Sequence, residues 1–244
     1  QRGGHMIPRD YVWLVWSAAF LVPWLGLYAA FPLHRRAMLW SSLFTAPFGL
    51  TEPLFVPEYW SPPSLFDLAI RTGFDIESVI FCFGIGGVAA VAIDVLTRRV
   101  PVPVPEGERH HTRHRFHRWV LGAPFLVFVA LWPLPWNPIY PGIVAMLVGG
   151  ALTLWCRPDL KAHVALGGAV FVAYYTVFLA GLEVTAPRGY IEEVWNLEAL
   201  SGIRLAFIPL EELLFAFGFG TYWSSVYEHF QWREAQRVEA FVVK

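Results

Sequence analysis

The chain has 244 residues, of which 56% are hydrophobic and only 15% charged, with a mean hydropathy of +0.48. Soluble domains carry about 25% charged residues, and a single core of this size cannot bury so much apolar and aromatic surface. Eighteen basic against nineteen acidic residues give no whole-chain case for nucleic acid, and two cysteines (Cys82, Cys156) exclude a disulfide scaffold. What remains is an all-α polytopic membrane protein.

A spanning helix needs about 20 mostly apolar residues. Gln1–His5, ahead of Met6, read as an appended leader outside the natural chain. The first predicted span, 11–31, is too long for a cleaved signal peptide and lacks a small-x-small cleavage site. Spans at 37–57 and 76–96 follow. Val100 to Pro105 alternates Val and Pro, which predicts a stiff, polyproline-like spacer. Next comes Arg109-His-His-Thr-Arg-His-Arg-Phe-His-Arg118, whose four histidines invite a metal-site reading. No cysteine or carboxylate is spaced to complete a coordination shell, so the segment is read as a basic loop facing anionic lipid, with no metal assigned. Spans at 119–136 and 138–156 are separated only by a Pro-rich turn and form a hairpin; 163–183 and 203–228 complete the set. Seven spans is the expected count, with six or eight as the alternatives.

Seven spans put the termini on opposite sides. Thirteen Arg and Lys then fall on the side of the C-terminus and five on the other. The positive-inside rule orients the chain in the cytoplasmic (inner) membrane, N-terminus outside and C-terminus cytoplasmic.

Self-similarity at an offset of 134 organises the chain. Asp75-Ile-Glu-Ser-Val-Ile-Phe-Cys-Phe-Gly-Ile-Gly86 aligns without gaps to Pro209-Leu-Glu-Glu-Leu-Leu-Phe-Ala-Phe-Gly-Phe-Gly220. Upstream, Glu58-Tyr-Trp60 echoes Glu193-Val-Trp195, and Gly49-Leu-Thr-Glu52 weakly echoes Gly181-Leu-Glu183. Spans 1–3 thus correspond to spans 5–7, two parallel three-helix repeats with span 4 as connector. The organisation expected is a first repeat at 1–99, a basic loop and connector at 100–137, and a second repeat at 138–244, all in one membrane domain. External loops at 57–75 and 184–202, the second suited to a short interfacial helix, would close a cavity from outside.

Ionisable groups inside spans are expensive and mark function by default. Glu52, Glu77, Glu183, Glu211 and Glu212 cluster at the outer ends of spans 2, 3, 6 and 7. Glu211, Phe215 and Gly218 share one helix face, as do Glu77, Phe81 and Gly84. Such a face suits acid chemistry on an apolar substrate, with Phe81, Phe83, Phe215 and Phe217 offering ring faces to a carbocation. The alternative is that these glutamates cap helices while the rings pack. Asp94 and Glu228 are expected to pair with Arg98 and Arg233 at the cytoplasmic ends.

At Ile208-Pro-Leu-Glu-Glu-Leu-Leu-Phe215, together with Thr51–Trp60, Gly73–Ser78 and Trp195–Gly202, the chain resembles the lycopene cyclases of the heterodimeric or fused membrane type, over roughly residues 6–235. The resemblance implies an isomerase needing no cofactor. An acid protonates the terminal double bond of a linear carotenoid such as lycopene, the adjacent alkene attacks the cation, and proton loss fixes the ring. It implies Glu211 and Glu212 as the paired acids and matches Glu77 only in part; Glu52, from the rim cluster, completes the catalytic candidates. Trp60 and Trp195 join the four phenylalanines as substrate-binding candidates. Asp75 and Ser78 depart from the pattern in the first repeat, which favours one active site per chain. Besides the carotenoid, only membrane lipid is expected as a partner, and oligomeric state is open.

Rival readings fare worse. A retinal protein needs a lysine in its last span, and the lysines are Lys161 and Lys244. A prenyltransferase needs Asp-rich motifs, and a flavin enzyme a Gly-rich strand–helix turn; neither is present. A non-catalytic carotenoid or lipid binder, or a transporter, on the same scaffold is the serious alternative.

Overall fold

The computed structural model describes residues 7–237. Gln1–His5, with Arg2, and Lys244 therefore lie outside the described residues.

Helices dominate. In chain order they are α1 (Val12–Ala19), α2 (Leu21–Ala30), α3 (Arg35–Thr45), the short α4 (Leu68–Thr72), α5 (Ile76–Thr97), α6 (Glu106–Arg109), α7 (His117–Leu131), α8 (Ile139–Cys156), α9 (Lys161–Thr185), α10 (Tyr190–Val194), α11 (Leu210–Trp223) and α12 (Val226–Phe230). Among the described residues, four stretches are long and apolar enough to cross a membrane: Arg9–Ala30, Ile76–Thr97, Ile139–Cys156 and Pro158–Thr185. The other three expected spans are helical over shorter lengths. The 37–57 segment continues from α3 as a 3-10 helix over Ala46–Leu54, where Pro47 and Pro53 withhold amide hydrogens. The 119–136 segment ends as a helix at Leu131, ahead of Pro133, and the 203–228 segment breaks at Ser224-Ser225 between α11 and α12. Pro23 likewise divides the first span, because its ring opposes the carbonyl of Ala19 where α1 ends.

Two helices sit at the centre. α5 packs on α1, α2, α3 and the 3-10 segment, and α11 packs on α8 and α9; α5 also touches both α9 and α11. The approach is close at two glycines that the 134-residue offset matches. A Cβ on Gly86 would lie 2.1 Å from Thr45 Oγ1, and one on Gly220 would lie 2.4 Å from the carbonyl oxygen of Gly167. Small residues at these crossings let backbones meet where lipid supplies no hydrophobic drive.

The Val-Pro segment is not a free spacer. It forms β1 (Arg99–Pro103), which pairs antiparallel with β4 (Arg233–Arg237), Arg99 opposite Arg237 and Pro103 opposite Arg233. Alternation explains this: the prolines share one edge, where no donor is needed, while the intervening valines face the partner. Val104 N continues the pattern by donating to Trp232 O at 2.9 Å. A second small hairpin, β2 (Arg204–Leu205) with β3 (Ile208–Pro209), leads into α11.

At the same end as that sheet, the expected ion pairs are replaced. Asp94 accepts from His163 Nε2 at 2.9 Å, both groups about 1% exposed, and no contact with Arg98 forms among the described residues. Arg98 sits in the left-handed C-cap of α5, off the end of the helix, whereas Asp94 faces the bundle. Glu228 is fully buried, near enough to Asp94 and His163 to share an ion with them, and among the described residues it makes no pair with Arg233.

Candidate active site

At the opposite end, the two loops expected to be external, 57–75 and 184–202, are stitched together. Trp60 and Trp195 form an antiparallel backbone bridge, flanked by Ser61 N to Val194 O at 2.7 Å and Asn196 N to Tyr59 O at 2.9 Å. α10 buries Ile191 and Val194 beside Trp195 and Leu182, so its apolar face covers the protein's own core rather than lipid. The loops therefore roof the bundle.

Beneath this roof lies a cavity of about 390 Å³. Its lining is almost wholly apolar: Trp13, Trp16, Phe20, Phe81 and Ile85 from one half, Phe215, Phe219, Trp223 and Tyr175 from the other, with Trp60 and Trp195 at the roof. Two carboxylates face it, Glu52 and Glu212. Ligand sites commonly occupy about 300–1,000 Å³ and combine such walls with a few polar groups.

Glu212 opens α11 and is 3% exposed. Three donors converge on it: Tyr59 Oη and Trp195 Nε1 (2.7 Å) donate to Oε1, and Tyr175 Oη donates to Oε2 at 2.8 Å. These come from the 57–75 loop, the 184–202 loop and α9. Burial, and then the adjacent Glu212 carboxyl, hold the Tyr59 phenol well above its usual range, so it remains a donor. Glu52 enters from the 3-10 segment, 7% exposed, and its Oε1 has no hydrogen-bond partner among the described residues.

Glu211 and Glu77 do not line the cavity. Oε1 of Glu211 accepts from Tyr140 Oη at 2.7 Å and from Ser201 N at 2.8 Å, while Oε1 of Glu77 accepts from Leu65 N at 2.6 Å. Each ties the loop that precedes its helix back onto the first turn. Ser78, which the repeat aligns with Glu212, does line the cavity, and its backbone N–H is capped by Asp75. So the aligned pair Glu77 and Glu211 anchor loops, while one residue further on the second repeat holds a carboxylate and the first a hydroxyl.

Of the six candidate substrate contacts, Phe81, Phe215, Trp60 and Trp195 line the cavity. Phe83 instead packs on Trp24, and Phe217 is 43% exposed on the outer face of α11. Helix geometry accounts for the split: Phe83 and Phe217 are two residues beyond Phe81 and Phe215, about 200° around the helix. Tyr59, Tyr175, Trp13 and Phe20 were missed by sequence reasoning. Tyr59 lies inside the quoted Glu-Tyr-Trp motif, so its signal was present; Tyr175 has no local signal, because only the α9–α11 crossing aims it at Glu212.

Residues 137–230 match the family model for lycopene cyclase. That segment, less than half of the chain, is similar to the lycopene cyclase family. It spans α8 through α12 and includes Glu211, Glu212, Tyr175, Trp195 and Phe215. Neither a curated protein nor a solved structure matches the chain.

Proposed function

We propose that the protein is a lycopene cyclase-like isomerase that closes end rings on a linear carotenoid by acid initiation, without net redox change. The observation that carries this reading is an aromatic-walled cavity faced by two carboxylates of unlike surroundings. Glu212 accepts three hydrogen bonds, an arrangement suited to an ionised carboxylate. Glu52 leaves Oε1 unpartnered beside apolar walls, which suits a protonated carboxyl.

In this scheme the Glu52 O–H bond breaks and its proton adds to the terminal carbon–carbon double bond, leaving a tertiary cation. Electrons of the neighbouring alkene form the ring bond and move the charge into the new ring. Ring faces of Phe81, Phe215 and Trp60 stabilise that charge in an almost wholly apolar space. Glu212 balances it as a fixed anion, held by groups that need no reorganisation during the reaction. Loss of a ring proton to a carboxylate then restores neutrality and regenerates one double bond, so each closure exchanges one carbon–carbon double bond for one ring bond at constant composition.

The two halves act as repeats in this reading. The Gly86 and Gly220 crossings and the loop-anchoring bonds of Glu77 and Glu211 support it, and seven crossings with the arginine-rich end in the cytoplasm complete the topology. The test is expression in a lycopene-accumulating bacterial host, with pigments separated by chromatography. Cyclic carotenoid that disappears in Glu52→Gln and Glu212→Gln variants supports the enzyme. Unchanged lycopene from well-folded membrane protein refutes it, and lycopene retained one-to-one on that protein would mark a binder instead.

A further inference from the structure

The four histidines after the Val-Pro strand do not share one environment. His110 and His111 are exposed, whereas His114 and His117 are about 7% exposed and turned inward. There they meet Cys156, the last residue of α8, which is completely buried. Cys156 Sγ is 3.6 Å from His114 Nδ1 and 3.5 Å from His117 Nδ1. No pair of ligand atoms among the three is more than 4.8 Å apart. The cysteine that the local spacing lacks is thus supplied from 39 and 42 residues away.

Those distances match a coordination shell. Zinc holds thiolate sulfur at about 2.3 Å and imidazole nitrogen at about 2.0–2.1 Å, so tetrahedral angles set sulfur and nitrogen about 3.5–3.6 Å apart. Hydrogen bonding accounts for both contacts less well. A thiol has one hydrogen, so one ring would have to donate to sulfur, a weak acceptor. The surroundings are also organised: Trp232 stacks on His117 at 4.1 Å between ring centroids and meets His114 edge-on at 5.1 Å. His229, whose ring lies 4.8 Å from that of His117, keeps a buried Nε2 without a partner among the described residues.

We infer that His114, His117 and Cys156 form a site for a borderline-soft divalent cation of the zinc type. Two neutral imidazoles and a thiolate select zinc over calcium or magnesium, which require oxygen ligands. The fourth position is filled by water or by another buried donor. The ion pins the basic loop to the end of α8, at the end of the bundle away from the carotenoid cavity. Its role is therefore structural and independent of the cyclase reading.

The test uses the full chain, purified in detergent through a tag that contains no histidine. Metal analysis is expected to find about one zinc per chain. Replacement by cobalt is expected to give the intense visible bands of a tetrahedral site together with a sulfur-to-cobalt charge-transfer band. Cys156→Ser abolishes the charge-transfer band, and His114→Gln or His117→Gln weakens zinc retention at least about tenfold. His110→Gln with His111→Gln leaves both readouts unchanged. Should the variants fold poorly, wild-type protein gives a second readout: chelator accelerates tryptic cleavage at Arg113 and Arg115, and added zinc restores protection. The inference is overturned if wild-type protein retains no stoichiometric zinc. It is equally overturned if the exposed-histidine double variant lowers zinc as much as Cys156→Ser does, or if chelation leaves cleavage unchanged.

Discussion

Glu211 and Glu212 are adjacent, yet they are expected to respond to the same substitution in different ways. Glu212→Gln keeps shape but removes the charge and one acceptor. Trp195 Nε1 can only donate, so the amide oxygen must stay on the Trp195 and Tyr59 side, turning the NH2 toward Tyr175. The Tyr175 hydroxyl can rotate to accept, so the fold survives with a loss of about 1.5–3 kcal/mol from weakened charge-assisted bonds. The larger effect falls on turnover. Removing a preorganised charge partner from a low-dielectric site costs about 3–4 kcal/mol in the barrier, or about 10²–10³ in rate. Glu211→Gln retains the oxygen that accepts from Tyr140 and Ser201 N and changes nothing on the cavity wall. Its expected cost is about 1 kcal/mol of stability, with turnover within about threefold of wild type. The assay is formation of cyclic carotenoid from lycopene in reconstituted liposomes, normalised to folded protein by size-exclusion chromatography. The reasoning is refuted if folded Glu211→Gln loses as much turnover as Glu212→Gln, or if Glu212→Gln turns over normally.

Three further outcomes are expected. Glu52→Gln loses at least about 10²-fold in turnover with little change in thermal stability, because Oε1 has no partner to lose; the same liposome assay and a melting curve check it. Gly220→Ala drives a methyl group against the Gly167 carbonyl and destabilises by about 1–3 kcal/mol, whereas Gly122→Ala, with open space around it, is neutral or mildly stabilising in detergent melts. Asp94→Ala removes the buried acceptor that faces His163 and costs about 3–5 kcal/mol, read as a fall in melting temperature, while Arg98→Gln, with no ion-pair partner among the described residues, stays close to wild type.

Much of this protein was legible in its residues. The shortage of charge and the long apolar runs announced membrane-spanning helices, because lipid demands apolar side chains over a known length. Self-similarity at 134 residues picked out α5 and α11, the two central helices, and the motif at Pro209–Phe215 pointed to lycopene cyclase before any geometry was in hand. Helix periodicity could also have separated Phe81 and Phe215 from Phe83 and Phe217. It could not separate Glu211 from Glu212, since both lie in the first turn and only neighbouring elements determine which one faces the cavity. Tyr175 becomes a partner of Glu212 through the close α9–α11 crossing at Gly167 and Gly220, and Tyr59 and Trp195 through the bridge between two distant loops. Cys156 reaches His114 and His117 in the same way, once the α7–α8 hairpin folds back on itself. Local sequence determines which segments are apolar enough to cross a membrane and which helix face each residue occupies. Convergence of side chains from segments far apart in the chain depends on how the helices cross, and that was decided only by the packed structure.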